Sequence, residues 1–379
     1  MTSSPNSRQG WRCVAYCDTS GESAGGHDQL TKASVAESIA SLLGVDYEGT
    51  VALSDDLGST RYIVPSDTLL GSSEIIRLGI AGDEGFFGGV APTPFVATKA
   101  ITHRLVPRGS QAPHGWSSSF GDLVDAVVLQ GFTVFTVEDA RRAALDLLKG
   151  GQVRIKEAAA KGGSGQYVVR TGAELESLLR RLGDQVLQVD GWVVEQNLLD
   201  VTTKSIGQVR VGTSLASYYG NQRTTHNHHG AEVYAGSDLR VVRGDLSCLL
   251  QTDMDVPTRR AVEQALVYDR AAMQCFPGLL ASRRNYDVVQ GLDADGAWQS
   301  GVLEQSWRIG GASGAEIAAL QAFAERPDIT WVRASTHEIY LGDDSLECAP
   351  CGATIHFNGT DPRAGRMLKY AQVDEHGHD

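Results

Sequence analysis

The sequence predicts an α/β protein with more than one domain. Short β-prone runs alternate with capped, amphipathic helical stretches. A chain of 379 residues is longer than one compact core organises. A Gly/Pro-rich stretch, "AGDEGFFGGVAPTP" at 81–94, marks a boundary between an early unit and the rest.

Taken in order, residues 1–10 are polar and expected to be disordered. "WRCVAYC" reads as a strand, "SGESAGGHD" as a loop, and 29–43 as a helix with Leu30, Val35, Ile39, Leu42 and Leu43 facing inward. "RYIVP" reads as a strand end and "SDTLLGSSEIIRLGI" as a helix, which completes a small α/β domain over 1–95. Beyond it, 98–106 is expected to be helical and 132–136 a strand. "TVEDARRAALDLLKG" is a helix with Thr136 as N-cap, Asp139 three residues on, and a stop at Gly150. "TGAELESLLRRLG" is another, ended by Gly183. "GWVVEQNL" and 206–219 read as strands, and "VPTRRAVEQALVYDRAAMQCF" as a long helix. "NYDVVQGLDADGAWQSGVLEQSW" reads as a hairpin turning at "DADG". Near the end, "STHEIY" and "ATIHFNG" look like strands. His337, Glu338 and His356 there are surface residues by default, with the site as the alternative. The division expected is 1–95, 96–330 with a lid portion at about 150–200, and a segment 331–379 packed on the second domain.

A net charge of −13 argues against nucleic acid as the main partner, because phosphate recognition needs a basic face. No apolar run approaches the roughly 18 residues that span a bilayer, and "MTSSPNSRQGW" has no apolar signal core. The expected location is the cytoplasm, with no membrane partner. Six cysteines are too sparse for a disulfide scaffold. Cys348 and Cys351 form a single C-x-x-C with no second pair, so two ordinary thiols near a turn is the simpler reading; Cys13 and Cys17 are expected in the core.

The chemistry gathers at "RIKEAAAKGGSGQYVV", residues 154–169. One β-prone run ends on Lys156, a loop of Gly162, Gly163, Ser164 and Gly165 follows, and a second run starts at Tyr167. A P-loop needs Gly-Lys, which the chain lacks. A dinucleotide fingerprint needs a third glycine where Val168 stands. The remaining phosphate reading is strand, flexible glycine lid, strand. In it Val153 and Ile155 face the core, Arg154 and Lys156 face the nucleotide, and loop N–H groups approach phosphate oxygens. A solvated hairpin turn is the plain alternative.

Several motifs in order resemble the ATP-grasp superfamily, over about residues 95–320. "ATKAITHRLV" is similar to its early lysine-bearing segment, with Lys99 at the phosphate-binding lysine. "VRIKEAAAKGGSGQYVV" resembles the second lysine, Lys156, and the glycine lid. "VVEQNL" resembles the hinge whose backbone, here Glu195, Gln196, Asn197 and Leu198, holds adenine. "YDVVQGLDADGAWQSGVLEQSWRIGG" resembles the metal-binding hairpin, with Asp287 and Glu304 as magnesium carboxylates and Arg308 as the arginine of an E-x-N-x-R run. Ser306 stands where the family usually has asparagine; a serine oxygen has a shorter reach and a weaker dipole.

The resemblance implies the ATP-grasp fold, two α+β subdomains clamping ATP, preceded by the small α/β domain. It implies ATP and Mg²⁺ as cofactors, and an ATP-dependent ligase of the carboxylate–amine type. A small-molecule carboxylate is activated as an acyl phosphate, and a nucleophilic co-substrate displaces phosphate. Biotin-carboxylase-like carboxylation and a non-catalytic ATP-binding sensor or partner module are the alternatives. The oligomeric state stays open, a homodimer being one outcome. "GNQRTTHNHHGAEVYAGSDLRVVRGD" is the least family-like segment. His226, His228 and His229 have zinc-like spacing, and a polar loop is the bland reading. A cationic wall facing an anionic substrate lies between these. In it Arg223, with Arg308, reads a carboxylate bidentately, and Asn221 and Gln222 orient it.

Overall fold

The computed structural model describes residues 10–19, 26–53, 60–108, 111–160, 164–182, 190–342 and 347–378. Most of the polar N-terminus, together with Gly162, Gly163 and Gly183, lies outside them.

β1 (Cys13–Asp18) is the middle strand of a parallel sheet with β2 (Asp46–Ala52) and β3 (Arg61–Pro65). α1 (His27–Leu43) crosses between β1 and β2 and ends at Gly44, which takes the left-handed conformation at φ +69°. Val35, Ile39, Leu42 and Leu43 are buried as expected, but Leu30 is 45% exposed. At 3.6 residues per turn, the five residues before Val35 carry Leu30 away from that stripe. The helix expected over 66–80 is broken at Gly71, φ +81°. Before it β4 (Leu69–Leu70) pairs with β5 (Gly89–Ala91), and after it α2 (Ser72–Arg77) makes under two turns. Cys17 is buried in the core as expected, but Cys13 is only half-buried and its thiol donates to Glu48 Oε2 at 3.2 Å near the surface; Cys348 and Cys351 are exposed and free.

The helix expected over 98–106 is only a 3-10 turn, Lys99–Thr102, capped by the Thr98 hydroxyl. Pro107 disfavours helical backbone just before it, and Leu105 instead bridges to Thr133. After α3 (Ser118–Val124), β6 (Gly131–Val134) leads into α4 (Val137–Leu147), whose first turn is capped by Thr136 Oγ1 accepting from Asp139 N at 3.1 Å. β7 (Val153–Glu157) and β8 (Gln166–Val169) form the expected hairpin, with Lys156 opposite Gln166. α5 (Gly172–Leu182) and β9 (Trp192–Gln196) complete a four-stranded sheet in the order β6-β9-β7-β8. Its core joins Val153, Ile155 and Trp192 to Ala144, Leu147, Leu175 and Leu179 of α4 and α5.

The run expected over 206–219 is two strands, β10 (Leu199–Val211) and β11 (Ser214–His226), because Gly212 adopts φ +56° and turns the chain. β11 pairs with β12 (Glu232–Arg243), so the polar segment 221–243 is mainly sheet rather than loop. α6 (Val256–Cys275) follows, with Asp255 as N-cap. β13 (Leu280–Ala281) pairs with β5; β14 (Arg283–Leu292) and β15 (Trp298–Ser306) form the expected hairpin. α7 (Ser313–Glu325), β16 (Trp331–Tyr340), β17 (Thr354–Asp361) and β18 (Gly365–Gly377) end the chain. Eight strands make the central sheet, ordered β15-β14-β10-β11-β12-β16-β18-β17. On one face Ile206, Tyr286 and Val288 pack with α6. On the other, Val209, Tyr218, Leu239 and Val332 share a core with α1, α7 and the N-terminal sheet.

Candidate nucleotide and metal site

Asp287 on β14 and Glu304 on β15 are direct cross-strand partners, with a bulge just after Asp287. Asp287 Oδ1 accepts from Gln222 Nε2 at 2.8 Å, from Asn285 Nδ2 at 2.8 Å and from Ser205 Oγ at 3.5 Å. Even so, burial, followed by the charge of Glu304, pushes its carboxyl up to about 6. Glu304, one-third exposed, pairs with Lys99 Nζ at 3.0 Å. Two adjacent carboxylates, one buried and under-compensated, are an oxygen donor set that suits Mg²⁺. The donors converge on Oδ1, which leaves Oδ2 for a cation.

Ser306 lies opposite Asn285 in the same hairpin. Its Oγ and its backbone oxygen both stand 3.4 Å from Arg283 Nη1. Arg283 and Glu316 form a fully buried ion pair at 2.8 Å, and Arg283 also donates to Arg308 O at 2.6 Å. The Tyr218 hydroxyl is 2.6 Å from Glu316 Oε1 and 2.9 Å from Asn285 Oδ1. The buried pair thus ties α7 to the backbone of 306–308, and through Tyr218 and Asn285 to Asp287. Gly207 makes room for this, since a Cβ there would lie 2.3 Å from the Tyr218 ring.

Lys99 Nζ also donates to Ala160 O at 2.5 Å, linking the hairpin to the loop after β7. Lys156 Nζ pairs with Glu195 Oε1 at 2.5 Å, and Glu195 Oε2 bonds to His103 Nε2 at 3.0 Å. Burial opposes the charge on Glu195, but Lys156 and His103 outweigh it and hold the carboxyl down to about 2. An ammonium has three protons, so Lys156 keeps donors for a phosphate. At the hinge, the N–H groups of Gln196 and Asn197 are already committed to Gln130 O and Gln152 O, each at 2.9 Å. The Asn197 side chain accepts from Arg154 at 2.8 Å. Adenine recognition by the N–H groups of those two residues is therefore corrected. Leu198 instead packs with Leu129, Val289 and Leu303 in a small apolar cluster between hinge and hairpin. At the end of the β7–β8 loop, Gly165 sits at φ +63°, where a Cβ would come 2.8 Å from Ala160 Cβ, and Ser164 precedes it.

Arg308 points toward the turn between β3 and β4, with its Nε 3.6 Å from Asp67. Arg223 does not join it. Its guanidinium meets Asp238 at 3.0 Å, Thr336 O at 2.6 Å and His337 Nδ1 at 3.2 Å. Its neighbour Gln222 reaches Asp287, and successive strand residues alternate faces, so Arg223 lies on the opposite face. The cationic wall also dissolves: Arg240 stacks over Trp331 and Arg243 over Phe323. His228 leans on Tyr340 and Arg366 O, and among the described residues no group of three or more His, Cys, Asp or Glu could hold a metal. Sequence reasoning missed Asn285, Ser205, His103 and the side-chain role of Glu195. The i, i+2 spacing of Asn285 and Asp287 on one strand face was the available signal.

A family model described as "Protein of unknown function (DUF3182)" matches residues 15–371. No curated protein matches the sequence. Among solved structures, the chain is similar to N5-carboxyaminoimidazole synthetase from Staphylococcus aureus (13% identity, TM-score 0.55, covering 96% of this chain and 93% of that one). It is similar to phosphoribosylamine–glycine ligase from Thermotoga maritima (14%, 0.53, 96% and 93%). It is also similar to the biotin carboxylase domain dimer of 2-oxoglutarate carboxylase from Hydrogenobacter thermophilus, in complex with MgADP, ADP and bicarbonate (12%, 0.51, 96% and 86%). At these identities the likeness shows the fold, and the fold is ATP-grasp.

Proposed function

The chain belongs to the DUF3182 family, and we propose that it is an ATP- and Mg²⁺-dependent ligase. The γ-phosphoryl group of ATP passes to an oxygen of a substrate carboxylate and ADP leaves. An amine or other nucleophile then attacks the acyl carbon and phosphate departs. The observation that carries this reading is the Asp287–Glu304 pair, in register on adjacent strands with Lys99 on its rim. Mg²⁺ bound there would supply charge neutralisation at the phosphates. Lys99 and Lys156 place two further positive charges where negative charge gathers during transfer. The apolar cluster around Leu198 suits a purine face. Arg308 is assigned to the acyl side, and Ser164 and Gly165 to the lid. The divisions 1–95, 96–330 and 331–379 are proposed as functional parts, the last of which also completes the central sheet. Among the described residues no helix is long and apolar enough to cross a membrane; a cytoplasmic location is part of the proposal.

Isothermal titration with ATP and Mg²⁺ tests the reading through Lys156→Ala. A charge-assisted phosphate contact is worth about 1.5–3 kcal/mol, so affinity should fall by an order of magnitude or more. Affinity within about twofold of the unsubstituted chain removes Lys156 from the nucleotide site. A non-catalytic nucleotide-binding module is the second reading, favoured by Ser306 facing Arg283 rather than the carboxylates. ADP release that rises when a metabolite pool is added supports the ligase; release that stays flat supports the module.

A further inference from the structure

Lys99 stands on a turn too short to hold its own shape. The 3-10 turn Lys99–Thr102 has four residues, and another of four, Pro94–Ala97, precedes it. Turns of this length leave backbone carbonyls without partners inside the element. Here three alternate carbonyls are taken by side chains from outside. Gln305 Nε2, on β15, donates to Val96 O at 3.0 Å and to Thr98 O at 2.7 Å. Thr133 Oγ1, on β6, donates to Ala100 O at 2.6 Å. The other end of the Gln305 amide is held as well, since its Oε1 accepts from the Tyr268 hydroxyl of α6 at 2.9 Å. That hydroxyl stands 3.2 Å from Thr102 Oγ1, which in turn donates to Leu303 O at 3.1 Å. Gln305 is 5% exposed, and Thr102 and Tyr268 are fully buried. Glu304, its neighbour on β15, meets the Lys99 ammonium at 3.0 Å. Side chain and backbone of the lysine turn are thus fastened to consecutive residues of one strand.

We propose that Gln305 and Tyr268 are positioning residues for Lys99. They fix the backbone of its turn against the β14–β15 hairpin, so that the ammonium is already held at Glu304 when a nucleotide arrives. This role rests on the reading of Lys99 as a phosphate contact. A lysine has a flexible four-carbon stem, and ordering it together with a mobile turn would be charged against binding. A turn already fixed through its carbonyls removes the backbone share of that cost. Packing alone does not account for an amide at 305. A methionine there would fill much the same space in the core around α6, but it carries no donor for Val96 O or Thr98 O. Gln264 supplies an internal comparison. It is buried between the same two elements, α6 and β15, donating to Ser300 O at 2.7 Å and accepting from Ser300 Oγ at 2.6 Å. Its bonds tie helix to strand and leave the lysine turn alone.

Isothermal titration of the full chain with Mg²⁺–ATP tests this on Gln305→Met, Tyr268→Phe, Gln264→Met and Lys99→Met, with urea melts alongside. Gln305→Met should weaken nucleotide binding about tenfold, the low end for groups that orient a ligand. Tyr268→Phe should weaken it in the same direction and by less. Gln264→Met should lose stability as Gln305→Met does, yet keep its affinity. The test that a merely structural role would fail is a double-mutant cycle: in the Lys99→Met background, Gln305→Met should cost no further affinity. Equal weakening with and without Lys99, an affinity loss in Gln264→Met matching that of Gln305→Met, or undiminished affinity in Gln305→Met would each overturn the proposal. Should Gln305→Met not fold, Tyr268→Phe removes a single hydroxyl and carries the same cycle. Unchanged affinity in Lys99→Met would remove Lys99 from the nucleotide site and the positioning role with it. A loss in Lys99→Met with none in Gln305→Met or Tyr268→Phe leaves the nucleotide site as proposed and removes the positioning role alone.

Discussion

Ser306 and Asn285 face one another across the hairpin, the first beside Arg283 and the second donating to Asp287. The Ser306 hydroxyl has a long contact of 3.4 Å to Arg283, so Ser306→Asn gives up little. That variant should bind Mg²⁺ in the presence of ATP as well as the unsubstituted chain or more tightly, because an amide oxygen is a good magnesium ligand. A loss of metal binding would show that the serine has been repurposed. Asn285→Ala takes a donor from Asp287 Oδ1 and should weaken the metal by about tenfold, the low end for groups that orient a ligand; titration with Mn²⁺ followed by magnetic resonance reads both. His356 offers a test of a different kind. Burial holds its imidazole down to about 4. With the folded value depressed, the unfolded chain takes up the proton first as pH falls. This contribution to stability is therefore present above the ordinary imidazole range, near 6.5, and is lost progressively down to about 4. Glu338 and Lys369 are the charged groups lining the small cavity beside it. Urea melts across that window should show a steeper acid loss for the unsubstituted chain than for His356→Gln.

α1 begins at Gly26 without a side-chain cap of its own. The cap comes from far along the chain: Asp361 Oδ2, at the end of β17, accepts from His27 N at 2.8 Å, while its Oδ1 takes Arg363 N and Ala364 N. Asp361→Ala should cost about 1–2 kcal/mol in a denaturant melt, with Asp361→Asn recovering most of it. A loss no larger than that of an exposed aspartate would show that the helix start is fixed elsewhere. Contacts of this kind also explain what the sequence could and could not disclose. The helix over 137–147 was legible because Thr136, Asp139 and a clean apolar stripe all lie within it, and the β14–β15 hairpin because "DADG" stands between two alternating runs. α7 was not legible, since its first turn is built of Ser, Gly and Ala and its burial comes from the sheet above it. The division of 206–219 into two strands hinges on a single glycine. Arg223 was misplaced for a related reason: which face of a strand a residue takes is set by register with its neighbours. The facing of Asp287 and Glu304 was legible because a turn stands between two alternating runs, whereas Gln222 and Tyr218 meet Asp287 and Asn285 only through pairing of distant strands, and His103 meets Glu195 through the packing of a 3-10 turn on β9.

At the scale of the whole molecule, the carboxylate pair links the β14–β15 hairpin to Lys99 and, through it, to the loop after β7. The Asp287 carboxyl is raised to about 6. A raised carboxyl gives stability that is full below its ordinary range near 4 and is lost as pH rises through 6, so at neutral pH the metal-free protein has lost it. Asp287→Asn keeps an oxygen for Gln222 and Asn285 and removes the charge; its metal-free melting temperature at neutral pH should exceed that of the unsubstituted chain. Glu304→Gln behaves differently, because Lys99 lies 3.0 Å from Glu304 and loses its ionic partner. Relief of repulsion and loss of that pair oppose each other, and little net change is expected without metal. With ATP alone, all three proteins should gain stability through the lysines. With Mg²⁺–ATP, only the unsubstituted chain should gain a large further increment, since a ligand bound by the native state alone stabilises it by mass action. Melts of the three proteins under the three conditions separate these terms. An undiminished magnesium-dependent increment in both variants would place the cation away from the hairpin, whereas an increment lost in Asp287→Asn and retained in Glu304→Gln would make Asp287 the carboxylate that holds it and leave Glu304 as the partner of Lys99.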